Sequence, residues 1–302
     1  MSLFSGRPAK TIMMRASVFA ALSLSGPVLV HAEEADKYHE IESRYIFGFV
    51  TGSDIGAEGE KEIESETNGS FGKRGGSSTA LDQELAFEFV PTQFLLVELA
   101  GHGVYHGISD VDGLDNIHRA DFGGLSANFQ FLLAGRGPGS PVGLAISTEP
   151  AWARIDDVSG QRTTSFGNEV KLIADTELIP NRLYYAVNLQ FEAGAGLEHG
   201  LSTWSRSSAL GVGTALAYRV APRVTLGAEL QYFRGFDGLD LSNFAGNALY
   251  LGPTLHIQVS HKIFLAAAFE AQVTGHAAGE ARSLDLTNFE RYRARLKFGV
   301  EF

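Results

Sequence analysis

NFERYRARLKFGVEF, residues 288–302, divides with a period of two. Tyr292, Ala294, Leu296, Phe298, Val300 and Phe302 fall on one face; Arg291, Arg293, Arg295, Lys297 and Glu301 fall on the other. Successive side chains of a β-strand point to opposite sides, so alternation of this length is a strand signal. An apolar face backed by a ladder of cations, ending on a phenylalanine, suits a strand between lipid and a polar lumen. The stretch reads as the closing strand of a transmembrane antiparallel up-and-down β-barrel.

The rest of the chain supports that reading. It has 302 residues, no cysteine, 35 glycines, mean hydropathy near zero and a net charge of −11. No run approaches the ~20 apolar residues that a spanning helix needs. Lys10 and Arg15 precede an apolar run that ends in Val30-His31-Ala32, the pattern of a secretory signal peptide cleaved after Ala32. Met13 and Met14 offer alternative starts. Residues 1–32 are therefore expected to be removed and 33–302 to form the barrel. The acidic balance gives no basic surface for nucleic acid, and the lack of cysteine excludes disulfides, thiolate metal sites and a lipoprotein anchor.

Alternating segments recur at 43–53, 78–90, 94–106, 120–132, 142–154, 166–178, 183–197, 203–220, 224–234, 247–259 and 263–274, which with 288–302 make twelve strands. Tight Pro-, Gly- and Asn-bearing turns alternate with longer polar connections, of which 54–77 is expected to be the longest extracellular loop. Short turns on one rim and loops on the other are the plan of a barrel in the outer membrane of a Gram-negative bacterium, with both termini periplasmic. A soluble barrel would carry the same alternation with its apolar face inward. Lipid demands closure, because an open edge would leave backbone groups unpaired.

In this register the lumen is charged. Arg291, Arg293, Arg295 and Lys297 form a basic ladder on the last strand. The sixth strand, opposite in a ring of twelve, carries Glu169, Asp175 and Glu177, and the second carries Asp82, Glu84 and Glu88. Strands ~4.8 Å apart and tilted ~40° give a ring roughly 24 Å across, too wide for direct pairing between opposite walls. The ladder then either steers a small anionic or zwitterionic solute or is neutralised by neighbouring acids as filling.

No catalytic constellation stands out. His102 and His106 share a face but lie about 13 Å apart along a strand, too far for one metal. No His-x-Ser pair lies on a lipid-facing strand, and the aspartates of 109–115 lack a completed calcium-loop pattern. The chain is expected to be no enzyme and to need no metal or cofactor. Its expected partners are outer-membrane lipid, the barrel-assembly machinery through the strand ending at Phe302, and a small solute.

Residues 81–192 are similar to a bacterial outer-membrane family linked to the meta-pathway of phenol degradation and described as transporter-like. The similarity lies in ELAFEFVPTQF at 84–94, the segment 122–131 and the Pro-bearing turn before Val142. It implies an outer-membrane role in uptake of small, even aromatic, molecules, and no site residue is carried over. The expected function is a channel or uptake protein for small polar or charged solutes. The alternative is a non-conducting barrel with a structural or surface-contact role.

Overall fold

Residues 41–137 and 140–302 are described by a computed structural model, so the segment 1–32 read as a signal peptide lies outside the described residues. Twelve strands form one closed antiparallel barrel: β1 Lys61–Phe71, β2 Ser77–Thr92, β3 Leu95–Ser109, β4 Ile117–Ala134, β5 Val142–Ile155, β6 Arg162–Ile179, β7 Leu183–Glu198, β8 Ser205–Ala221, β9 Val224–Asp237, β10 Phe244–Ser260, β11 Ile263–Ala277 and β12 Tyr292–Glu301. Each strand pairs with its sequence neighbours, and β12 closes on β1.

Burial settles which face points inward. Leu85, Leu99, Leu125, Phe166, Val212, Leu251, Phe269, Leu296 and Phe298 are exposed, whereas Glu98, Gln130, Asn188, Gln231 and Glu270 are buried. A water-soluble barrel would invert this arrangement; lipid against the outer wall requires it. The chain is therefore an outer-membrane-type barrel. The Phe302 amide donates to the Lys61 carbonyl (3.0 Å), so β1 starts and β12 stops at the rim carrying the tight turns.

The first strand differs from expectation. Residues 43–53 are not in the wall, and β1 lies within the stretch 54–77 expected to be a loop, leaving only 72–76 as the β1–β2 connection. In KEIESETNGSF the inward face is Glu62, Glu64, Glu66 and Asn68, and the outward face carries Ser65 and Thr67 between Ile63 and Phe71. Outside, Thr67 donates to Gln83 (2.6 Å) and Gln83 to Ser65 (3.1 Å). Mutual hydrogen bonding lets these polar residues stand where neighbouring strands place leucine, and it weakens the hydrophobic alternation.

Residues 41–55 instead run through the lumen as a plug without regular structure. Ile46, Phe47, Val50 and Ser53 are almost fully buried there. Such a segment needs partners for its backbone, and lumen side chains supply them. Glu229 accepts from the amides of Phe49 and Val50 (2.8 Å each). Asn188 accepts from the Thr51 amide (2.8 Å) and donates to its carbonyl (2.6 Å), and Gln130 donates to the carbonyls of Ser53 (3.2 Å) and Asp54 (3.1 Å). Ser53 also bonds Asp175, and Arg136 bridges Asp54 (2.5 Å), Asp175 (3.1 Å) and Glu177 (2.9 Å). Ile46, Phe47 and Val50 pack on Tyr184, Ala186, Ala215 and Ala217, the small alanines making room for the chain.

Gly48 is the tightest point. A Cβ there would collide with the Glu229 carboxylate and Ala268, and would sit 2.9 Å from Thr254 Cγ2. Gly48→Val should therefore expel the plug while the wall, which does not include Gly48, still closes. The expected outcome is retained heat-modifiable migration of the folded barrel with faster proteolysis within 41–55.

Candidate functional site

The ladder of the closing strand is built by the β12–β1 register. Glu66 lies opposite Lys297, Asn68 opposite Arg295, and Ser70 opposite Arg293. Lys297 pairs with Glu64 (2.6 Å) and Glu66 (3.2 Å). Arg295 pairs with Glu66 (3.2 Å) and donates to Asn68 (2.9 Å). Arg293 is tied to Glu270 on β11 and sits 3.7 Å from Glu290. Arg291, expected in the same ladder, precedes β12, is exposed at the rim and lies over the Tyr292 ring at 5.4 Å. Three of the four cations thus face the lumen, and acids on the two adjacent strands neutralise them.

The plug lies on this ladder. The Phe49 ring is 4.7 Å from both the Arg293 and the Arg295 guanidinium, and Tyr45 lies 5.5 Å from the Lys297 ammonium. Arg293 also faces Phe233 (4.9 Å) and Tyr250 (4.1 Å). Desolvated cation–π contacts contribute on the order of 2 kcal/mol each. Arg44, from the plug, reaches Glu88 and Glu98 (3.1 Å to the latter). Glu64, Glu88 and Glu98 bring carboxylate oxygens within 4.8 Å of one another, a spacing that suits a metal, but the Arg44 guanidinium and Lys297 ammonium already engage them.

The acids of the opposite wall are also held locally. Glu169 pairs with Lys171 (2.6 Å), and Asp175 and Glu177 are held by Arg136. On β2, Asp82 meets His102 Nδ1 at 3.1 Å and Glu84 approaches the same nitrogen at 3.8 Å. These acids are thus paired at short range within their own part of the wall. Periodicity could place these acids in the lumen but not find the glutamates of β1 or the role of Arg136, which depend on a strand and a turn contact invisible to alternation.

Free space is distributed unevenly. On the loop-bearing side, the β11–β12 connection folds in over the ladder: Asp285 and Phe289 are buried, the Asp285 amide donates to Gln272 (2.7 Å), and Gln272 donates to the carbonyls of Asp285 (3.1 Å) and Glu290 (3.0 Å). Across the mouth a cavity of about 610 Å³ is lined by the loop-side halves of β3 to β8. Its carboxylates are Asp82, Asp115, Glu149, Asp156, Asp157, Glu169, Glu192 and Glu198, against one guanidinium, Arg206. Leu125 and Phe166, which also border this space, face outward, so the volume takes in space on the outer face of the wall as well as in the lumen. Deeper in, a cavity of about 80 Å³ lies against the plug, bordered by Arg44, Tyr45, Gly48, Arg295 and Lys297. Glu149 lines both cavities. At ~10–15 Å³ of such volume per molecule, the inner one holds a handful of waters.

A family model for a family of unknown function, DUF6662, matches residues 39–302. The chain belongs to DUF6662. The match names this family and not the phenol-degradation family suggested by 84–94. No curated protein matches in sequence. Among solved structures, the DUF6662 barrel is similar to the COG4313 outer membrane channel from Pseudomonas putida F1, with 13% identity, 83% of this chain and 98% of that chain covered, and a TM-score of 0.57. It is also similar to the beta domain of the Bordetella autotransporter BrkA, with 13% identity, 81% and 100% coverage, and a TM-score of 0.51. These likenesses show a shared fold.

In the DUF6662 barrel, Lys73 of the β1–β2 connection tucks an ammonium without a hydrogen-bond partner toward Glu290, Asp285 and Asp156. Burial lowers its pKa to about 8, the three acids opposing the shift. Protonated Lys73 thus disfavours the folded state, and the unfolded chain holds the proton between about pH 8 and the ordinary lysine value. Stability is therefore expected to rise with pH across that window, by at most ~3 kcal/mol. Lys73→Met should remove that rise in denaturant titrations of the refolded protein. Arg293→Met, which strands Glu270 in a buried setting, should cost about 3–5 kcal/mol by the same measurement.

Proposed function

We propose that this barrel is an outer-membrane channel for small polar solutes, with cations favoured over anions and residues 41–55 as its gate. The observation that carries the reading is the acidic cavity at the loop-bearing mouth, whose lining residue Glu149 also borders the small cavity against the plug. Eight carboxylates against one guanidinium at the mouth concentrate cations and repel anions. The ladder on the far wall is already paired, so it serves to seat the plug rather than to receive an anion. The tight-turn rim, with β1's start and β12's end, would face the periplasm, and the outer leaflet would meet the loops. The fold shared with an outer membrane channel is compatible with this role. The plug's many partners favour a second reading, a barrel that never conducts and acts as a structural element.

The chain has no cysteine, so an introduced pair can lock the plug cleanly. Ser53 and Asp175 touch through their side chains, and Ser53→Cys with Asp175→Cys should form a bond that holds the plug in place. In planar bilayers the reduced form is expected to conduct with a reversal potential on the cation-selective side, and the oxidised form to be silent. Absence of conductance in both forms, with folding intact, establishes the structural reading. Anion selectivity would contradict the role assigned to the mouth.

A further inference from the structure

On three successive strands, Asp82 of β2, His102 of β3 and Ser126 of β4 form a hydrogen-bonded row. His102 Nδ1 lies 3.1 Å from Asp82 Oδ1, and His102 Nε2 lies 3.0 Å from Ser126 Oγ. An aspartate on one imidazole nitrogen fixes the tautomer, with Nδ1–H donated to the carboxylate, and leaves the Nε2 lone pair facing the serine hydroxyl. This is the order of roles that activates a serine nucleophile, recognised by geometry rather than chain position. Asp82 and His102 both line the 610 Å³ cavity, and Ser126 hangs from the same imidazole. We infer that Asp82, His102 and Ser126 form a serine-esterase site in the wall of the acidic mouth, for small esters bearing a cationic group.

The chemistry balances within the site and solvent. Ser126 Oγ attacks the ester carbonyl carbon as its proton passes to His102 Nε2. The bond to the alcohol oxygen breaks as the imidazolium returns that proton to the leaving alcohol. A water molecule, deprotonated by the same nitrogen, then cleaves the acyl-serine ester and releases the carboxylic acid. Asp82 is a positioning residue, and Glu84, 3.8 Å from Nδ1, reinforces the charge on that side. The substrate class follows from the field. Nearby Glu149 and Glu169 oppose a developing oxyanion, so a positive charge on the substrate is needed to offset them, and carboxylate-bearing esters are repelled.

The test uses the full chain refolded in detergent micelles, with folding of every variant checked by heat-modifiable migration. Treatment with diisopropyl fluorophosphate followed by peptide mapping should place one adduct on Ser126, absent from Ser126→Ala. His102→Gln and Asp82→Asn should slow labelling by about 10³-fold or more, and Asp82→Glu should restore part of the rate, which loss of a merely structural contact would not reproduce. Acetylthiocholine should be hydrolysed faster than a carboxylate-bearing thioester of similar size, and Ser126→Ala should abolish the difference. Failure to modify Ser126 in the folded protein, or labelling equally fast in His102→Gln, overturns the site. Equal hydrolysis of both esters overturns the substrate class.

Discussion

The interaction on which this barrel depends is the charge pairing at its closing seam. β12 brings Arg293, Arg295 and Lys297 to the lumen, and β1 and β11 bring Glu64, Glu66 and Glu270 beside them. A strand slipped by one residue would send these charges into lipid and the apolar face into the lumen. The seam is where an up-and-down barrel must join its first strand to its last. Here that register is specified by electrostatics as well as by hydrophobicity, which compensates for the weak apolar face of β1.

The same cations organise the interior. A ring of twelve strands encloses more space than lumen side chains alone can fill, and residues 41–55 occupy it. Phe49 lies on Arg293 and Arg295, Tyr45 on Lys297, and Glu229 and Asn188 take up the backbone between and after them. Arg136, from a tight turn, ties Asp54 to Asp175 and Glu177 and fastens the far end. An irregular chain can be buried here because lumen side chains take up the amides of Phe49, Val50, Thr51 and Ser53 and the carbonyls of Thr51, Ser53 and Asp54.

Much of this was legible in the sequence, for reasons that differ by element. Eleven strands announced themselves by period-two alternation because lipid on one side and a polar interior on the other demand it. The segment 43–53 alternates Tyr45, Phe47 and Phe49 just as a wall strand would, but it runs through turns and bends inside the barrel instead of in the wall. β1 was hidden because Ser65 and Thr67 satisfy each other through Gln83 on the outer face. Arg293, Arg295 and Lys297 were placed inward by parity, whereas Arg291 fell beyond the strand's end. The row Asp82–His102–Ser126 could not be read in advance, since it spans three strands and depends on their exact register.

Function follows from the asymmetry that these contacts create. The ladder side of the mouth is closed by the folded-in β11–β12 connection, and the side formed by β3 to β8 is open and acidic. Everything rests on the plug being inside the barrel. The most direct measurement is the reaction of Ser53→Cys with a bulky, membrane-impermeant maleimide in the folded protein, at a position that is fully buried. The expected result is no labelling when folded and complete labelling after denaturation. Rapid labelling of the folded barrel would contradict the account.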